Sequence, residues 1–287
     1  MCLINQTMQL HEEPYTVVDL WWILYKAFYK STPIKARNRK LYYNIPCAFD
    51  IETSSFIDDC GNKAACMYIW MLGIDGYCVI GRTWDEFQTA ISKIVKYCNL
   101  SEDVILPIYV HNLSYEFQFI KDRFVWNKVF ALDTRKPNYC LTNNGIEFRC
   151  SYQLSGMSLS RVGNNLMKYK VNKKVGDLDY SKIRHSRTEL SDTELGYCVN
   201  DVLVVMAYIQ ECIETEGDIT KIPYTKTGYV RRYVRQACLG TSKHRNSNYR
   251  TFIKNLTLES DEYLQLSVPR WIHTCISITF RRNIKRC

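Results

Sequence analysis

Residues 67–81, MYIWMLGIDGYCVIG, hold two apolar runs parted by Gly-Ile-Asp-Gly, and this stretch limits the fold more than any other. An Asp-Gly pair supplies the backbone of a tight turn, and the β-branched and aromatic runs on either side pair across it as a hairpin. The chain therefore builds a sheet. Upstream, Tyr43, Ile45, Cys47, Ala48 and Phe49 read as a strand that ends in a polar loop. Downstream, WDEFQTAISKIVKYC (84–98) sets Phe87, Ile91, Ile94, Val95 and Cys98 on one helix face. VILPIYVHN (104–112) is a short buried strand that leads into a helix beginning near Ser114, and Asn143, Asn144 and Gly145 mark a second hairpin within 138–154. SDTELGYCVNDVLVVMAYIQECI (191–213) opens on a capping-box pattern, Ser191 to Glu194, and continues as a long helix. Strands and helices in this order predict an α/β or α+β domain.

The length of 287 residues suffices for one large core or two modest ones, and 46% hydrophobic with 13% aromatic residues is a globular composition. A net charge of +9 favours an anionic partner, nucleic acid first. The 13 cysteines show no CxxC pair and follow no signal peptide, so reduced thiols in a cytosolic protein are expected. The most apolar run, VVDLWWILYKAFYK (17–30), is interrupted by Asp19 and Lys26 and is too short to span a bilayer. It predicts an amphipathic helix packed on the domain, and no membrane partner is expected.

The first strand closes on DIET, where Asp50 and Glu52 stand two residues apart. Residues two apart in a strand share a face, so both carboxylates aim at one point and repel unless a cation sits between them. An isolated Asp-x-Glu is more often a solvated acidic turn, and two further sites make the difference here. Glu116, in YVHNLSYEFQFI (109–120), falls on the first turn of the helix after the VILPIYV strand. Tyr197 and Asp201, in YCVNDVLVV (197–205), are four apart on one helix face and can serve one pocket. Four acidic groups on rigid elements suit two divalent ions, Mg2+ or Mn2+, in phosphodiester hydrolysis, with Tyr197 orienting the attacking water.

The order and choice of these residues resemble the three motifs of the DEDD 3′–5′ exonucleases, which implies an RNase H-like α/β fold with a mixed central sheet flanked by helices. More narrowly, DIET, YVHNLSYEF and YCVND look like the proofreading motifs of protein-primed family B DNA polymerases, as found in small tailed phages and linear plasmids. That resemblance implies a monomeric protein of the host cytoplasm acting on single-stranded DNA 3′ ends or primer-template DNA, with a terminal protein as a further partner. It implies Asp50, Glu52, Glu116 and Asp201 as metal ligands. Thr53, Tyr109, His111, Asn112, Tyr115 and, through GMSLSRV (156–162), Ser158 and Leu159 are implied as DNA ligands. KKVGDLDYSKIR (173–184) resembles the segment with a catalytic-site lysine, giving Lys174 or its neighbour Lys173. The family usually has Asp where this chain has Glu116, and the longer side chain shifts that carboxylate outward.

The resemblance divides the chain into an N-terminal helix with a basic connector (1–40), the exonuclease domain (41–225), a helical connector (226–266) and a basic tail (267–287). The palm motifs of a polymerase, an SLYP-type segment and an Asp-Thr-Asp, occur nowhere in the sequence. Synonymous codons for Val268 to Cys275 read one base later can spell a Gly-Gly motif of the YxGG type, so a frameshift near Ser267 is one account of the tail. Other readings of the chain are a noncatalytic remnant that binds single-stranded DNA or a terminal protein, and a self-contained DEDD nuclease.

Overall fold

The computed structural model describes residues 8–29, 31–133, 135–171 and 182–239. The chain divides into two compact units, Met1–Tyr229 and Val230–Cys287. In chain order the elements are β1 (Pro14–Tyr15), α1 (Leu20–Phe28), β2 (Ile34–Lys35), β3 (Leu41–Tyr42), β4 (Cys47–Ile57), β5 (Lys63–Ile74), β6 (Tyr77–Gly81) and α2 (Trp84–Tyr97). Then come β7 (Val104–Val110), α3 (Leu113–Ile120), β8 (Trp126–Asp133), β9 (Lys136–Thr142), β10 (Ile146–Cys150), α4 (Ser151–Ser155) and α5 (Leu159–Asn164). The long helix α6 (Asp192–Glu216), a 3-10 turn at Ile219–Lys221 and α7 (Lys226–Leu239) complete the description. The described part of the second unit is the stretch of α7 from Val230 onward.

Local chemistry sets most of these elements. The β5–β6 turn falls on Asp75 and Gly76, whose φ values of 49° and 89° are the pair a two-residue hairpin of this hand requires. A side chain at Gly76 would also run into the Gln9 carbonyl oxygen, 1.9 Å from where its Cβ would sit. Helices α2 and α6 both begin with capping boxes, Thr83 with Glu86 and Ser191 with Glu194, in which side chain and backbone bond reciprocally.

The sheet runs β1-β6-β5-β4-β7-β10-β9-β8, with β3 also on β7 and β2 on β3. β4, β7 and β10 are parallel neighbours, while β5 and β6 on one side and β9 and β8 on the other are antiparallel. Each face is covered by helices. On one face Leu20, Ile23 and Leu24 of α1 and Phe87, Ile91 and Ile94 of α2 pack against Phe49, Ile51, Leu72 and Ile108. On the other, Val202, Met206 and Ile209 of α6 pack against Ala48, Ile69, Met71 and Ile105. At roughly 1.5–3 kcal/mol for each large apolar side chain removed from water, these two layers dominate the stability of the first unit. The described cysteines are free thiols, and no described helix is long and apolar enough to cross a membrane.

Two features depart from the sequence reading. The first strand does not end at the carboxylates: β4 runs on to Ile57 and pairs with β5 as far as Lys63, with a bulge between Glu52 and Thr53. Its outer half, Thr53–Ile57, is too polar to read as a strand, but main-chain pairing with β5 needs no apolar side chains. The second is β8, which carries no alternating pattern because Asn127 to Ala131 are exposed on both faces of an edge strand. The N-terminal helix lies within the first core, as expected, and β1 adds itself to the sheet beside β6.

Candidate active site

Strand parity places the carboxylates. Ala48 faces α6, so Asp50 and Glu52, two and four residues on, face it too, while Phe49 and Ile51 between them enter the opposite core. Helix α6 lies along this face and delivers Asp201. One carboxylate oxygen from each of Asp50, Glu52 and Asp201 lies within 4.8 Å of the others. Helix α3 starts three residues beyond the end of β7, the strand parallel to β4, and its first turn turns Glu116 inward. Glu116 is 5% exposed, its carboxyl interacts directly with that of Asp50, and its Oε2 is buried without a hydrogen-bond partner. The longer side chain therefore still reaches the cluster. Tyr197 is half-buried on α6, one turn before Asp201.

The electrostatics follow from crowding anions in a shielded place. Burial raises Asp50 far above the carboxylate range, and the charges of Glu116, Glu52 and Asp201 push the same way. Glu52 is lifted to about 7, first by burial and then by Asp201, with the Arg184 guanidinium opposing. Glu116 is lifted to about 8, again chiefly by burial, with Glu52 adding to it. Protons or a cation must offset this charge near neutral pH. A cluster of hard oxygen donors with one buried oxygen left without a partner fits a divalent metal ion.

Around the carboxylates, the Thr53 hydroxyl just past the bulge is hydrogen-bonded to the hydroxyl of Tyr115, which is 40% exposed on α3. Asn112 is exposed at the N-cap of α3 and makes no side-chain capping bond. His111, at the end of β7, shares a hydrogen bond with Ser151 Oγ at 3.1 Å and keeps Nε2 buried without a partner. Burial lowers its pKa to about 4, against the upward pull of the Met157 backbone, so the ring is neutral near pH 7. That contact brings the 156–162 segment to the end of β7. There Ser158 caps α5 by accepting from the Arg161 N–H at 3.4 Å, and Leu159 packs on the α6-side core.

One expected DNA ligand is placed elsewhere. Tyr109 is 1% exposed on β7 and faces the core under α6, where its hydroxyl accepts from Arg149 Nη1 at 3.2 Å. A ring enclosed there cannot stack on a base: Tyr109 lies two residues deeper along the strand than His111, under the packing of α6. Lys173 and Lys174 lie outside the described residues, as do 240–287 with the proposed frameshift. Sequence reasoning missed Arg184, a buried guanidinium whose charge reaches Glu52. Its only local signal is its position seven residues before the α6 cap.

No protein-family model and no curated protein matches the chain. Among solved structures, the chain is similar to phi29 DNA polymerase complexed with single-stranded DNA, at TM-score 0.51 and 14% identity over 70% of this chain and 36% of that one. It is equally similar to phi29 DNA polymerase in a ternary complex with primer-template DNA and incoming nucleotide substrates, at TM-score 0.51, 15% identity and the same coverage. The catalytic core of RRP6 from Trypanosoma brucei overlays at TM-score 0.36 and 10% identity, over 84% of this chain and 60% of that one. The chain spans about a third of the length of the phi29 polymerase. The two phi29 likenesses show the fold: an RNase H-like mixed α/β sheet with helices on both faces.

Proposed function

We propose that this chain is a two-metal 3′–5′ exonuclease that removes nucleotides from single-stranded DNA ends, the proofreading part of a protein-primed family B DNA polymerase. The observation that carries the proposal is the convergence of Asp50 and Glu52 from β4, Asp201 from α6 and Glu116 from α3 on one shielded point. The DNA named for the phi29 complexes agrees with the net charge of +9 in making DNA the substrate class.

In this reading the four carboxylates would hold Mg2+ or Mn2+, with Asp50 central because the charges of Glu116, Glu52 and Asp201 all act on it. The chemistry such ions would supply there is activation of water and neutralisation of charge on the departing 3′ oxygen. Tyr197 orients the attacking water from one turn before Asp201, and Lys174 is the catalytic-site lysine. Thr53, Asn112 and Tyr115 at the mouth, His111 at the strand end, and Ser158 with Leu159 hold the terminal nucleotides, Tyr115 by stacking. Residues 41–225 form the exonuclease domain and 226–266 lead toward a polymerase domain. A terminal protein is the further partner. This chain's share is hydrolysis, because the palm motifs occur nowhere in its sequence.

The test is degradation of a 5′-labelled single-stranded oligonucleotide with Mg2+ or Mn2+ by the purified chain, by Asp50→Ala and by Asp201→Ala. The expected result is a ladder shortening from the 3′ end that both substitutions abolish. A folded chain that binds the oligonucleotide without shortening it would leave a binding remnant in place of a nuclease.

A further inference from the structure

The two elements that supply the carboxylate triad, β4 and α6, come from distant parts of the sequence, and one buried residue outside the cluster is bonded to both, to β4 through its backbone and to α6 through its side chain. Arg184 is 4% exposed. Its backbone N–H donates to Ser54 Oγ at 2.8 Å, and Ser54 is itself 6% exposed, two residues beyond Glu52 and just past the β4 bulge. Its Nε and Nη2 both donate to Glu194 Oε1, at 2.8 and 2.6 Å. Glu194 is the capping-box residue of α6, and its other oxygen accepts from the Ser191 N–H at 2.8 Å. The Arg184 carbonyl accepts from Cys66 Sγ on β5 at 3.8 Å, and the guanidinium lies 5.8 Å from the centre of the Tyr68 ring.

Glu194 precedes Asp201 by seven residues, close to two full turns, so the two lie on one face of α6. A guanidinium that grips Glu194 thus fixes the rotation and axial position of the face that presents Asp201. The same residue's backbone fixes the strand immediately past Glu52. A second arginine fastens the following loop: Arg82 donates from Nε to the Tyr68 carbonyl at 2.6 Å, and from Nη2 to the carbonyls of His185 at 3.1 Å and Thr188 at 2.7 Å. Arg184 is too enclosed, and too fully engaged with Glu194, to reach a phosphate.

We propose that Arg184 is the positioning residue of the carboxylate site, holding Glu52 on β4 and Asp201 on α6 at the separation that a metal ion requires. The proposal rests on the reading of that cluster as a metal site. Its consequence has a sign that simple electrostatics does not share. Arg184 is a cation near Glu52, so its removal should by Coulomb's law alone tighten binding of a second cation. Loss of positioning should weaken it, since ligand geometry out of place by about 1 Å costs on the order of 10²-fold where orientation matters.

The experiment is calorimetric titration of Mn2+ into the metal-free, DNA-free chain at pH 7.5, for the wild type, Arg184→Lys, Arg184→Met and Glu194→Gln, each first checked for native circular dichroism. Glu194→Gln keeps a residue able to cap α6 while deleting the ion pair. Expected is a loss of Mn2+ affinity of at least 5-fold in Arg184→Met and Glu194→Gln. Arg184→Lys should lose less, because it keeps the charge without the two-pronged fork. Joining Arg184→Met with Glu194→Gln should add little to either, because both cut one tether. With the oligonucleotide, kcat should fall at least 10-fold while KM moves less than 3-fold. Unchanged or tighter Mn2+ binding in folded Arg184→Met and Glu194→Gln would overturn the positioning role. Absence of Mn2+ binding by the wild type would overturn the metal-site reading itself, and the role of Arg184 with it.

Discussion

Replacing Glu116 with glutamine tests whether the carboxylate cluster strains the metal-free fold. Glu116 is 5% exposed, and its carboxyl is raised to about 8 from an ordinary value near 4.5. The folded chain thus holds a proton that the unfolded chain releases, and stability falls as pH rises from about 4.5 through 8. At 1.36 kcal/mol per pKa unit, the full shift corresponds to a penalty of about 4 kcal/mol at pH 8. Asp50 and Glu52 are half-buried. Their partial exposure screens the charge and reduces the penalty to about 2 kcal/mol. Glutamine has the same shape, cannot ionise, and donates an N–H toward Asp50. In EDTA, urea denaturation should find Glu116→Gln about 2 kcal/mol more stable than wild type at pH 8, and within about 0.5 kcal/mol of it at pH 5. For a unit of this size that is a rise of roughly 4–8 °C in Tm at pH 8. Mn2+ should then stabilise the wild type more than the variant, while the variant's nuclease activity falls. Equal or lower stability of Glu116→Gln at pH 8 would show that the carboxylates are solvated in the folded chain and that no cation is needed.

Other substitutions probe the frame around the site. Arg149 is buried, held by Glu147 at 2.5 Å and by the Ile219 carbonyl at 3.4 Å, with the ring of Tyr224 4.8 Å away. Arg149→Met strands the Glu147 charge and should cost about 3–5 kcal/mol in urea denaturation, whereas a loss under 1 kcal/mol would mean that water reaches the pair. A Cβ at Gly73 would sit 2.6 Å from Val202 Cγ1 and from Met206 Sδ. Gly73→Ala should therefore push α6 off β5, cost about 1–3 kcal/mol and lower kcat through Asp201; unchanged kcat would place α6 farther from the sheet. The His111 ring, with its pKa lowered to about 4, should stay neutral at pH 5.5 by NMR. A titration near 6.5 would show that the ring is solvated.

The extent to which the sequence was legible followed the range of each interaction. The Asp75-Gly76 turn, the capping box at Ser191 and the buried face of α2 are set by residues within four or five positions, and each is where the pattern puts it. The outer half of β4 and the whole of β8 were illegible because their partners, β5 and β9, pair with them through main-chain bonds that leave no mark on side-chain polarity. Tyr109 was misplaced because its motif gives the residue type but not its depth along β7, and the depth is decided by Arg149 and α6 packing over it.

By itself, the sequence determined that Asp50 and Glu52 share a strand face and that Tyr197 and Asp201 share a helix face, since both follow from backbone periodicity. Only the tertiary structure decided that these faces meet, that Glu116 reaches across the extra methylene to Asp50, and that Arg184 bonds to both elements. The physical reason is distance along the chain: Glu52 and Asp201 are brought together by the burial of Ala48, Ile69, Val202 and Met206 in one layer, and no local pattern encodes that encounter.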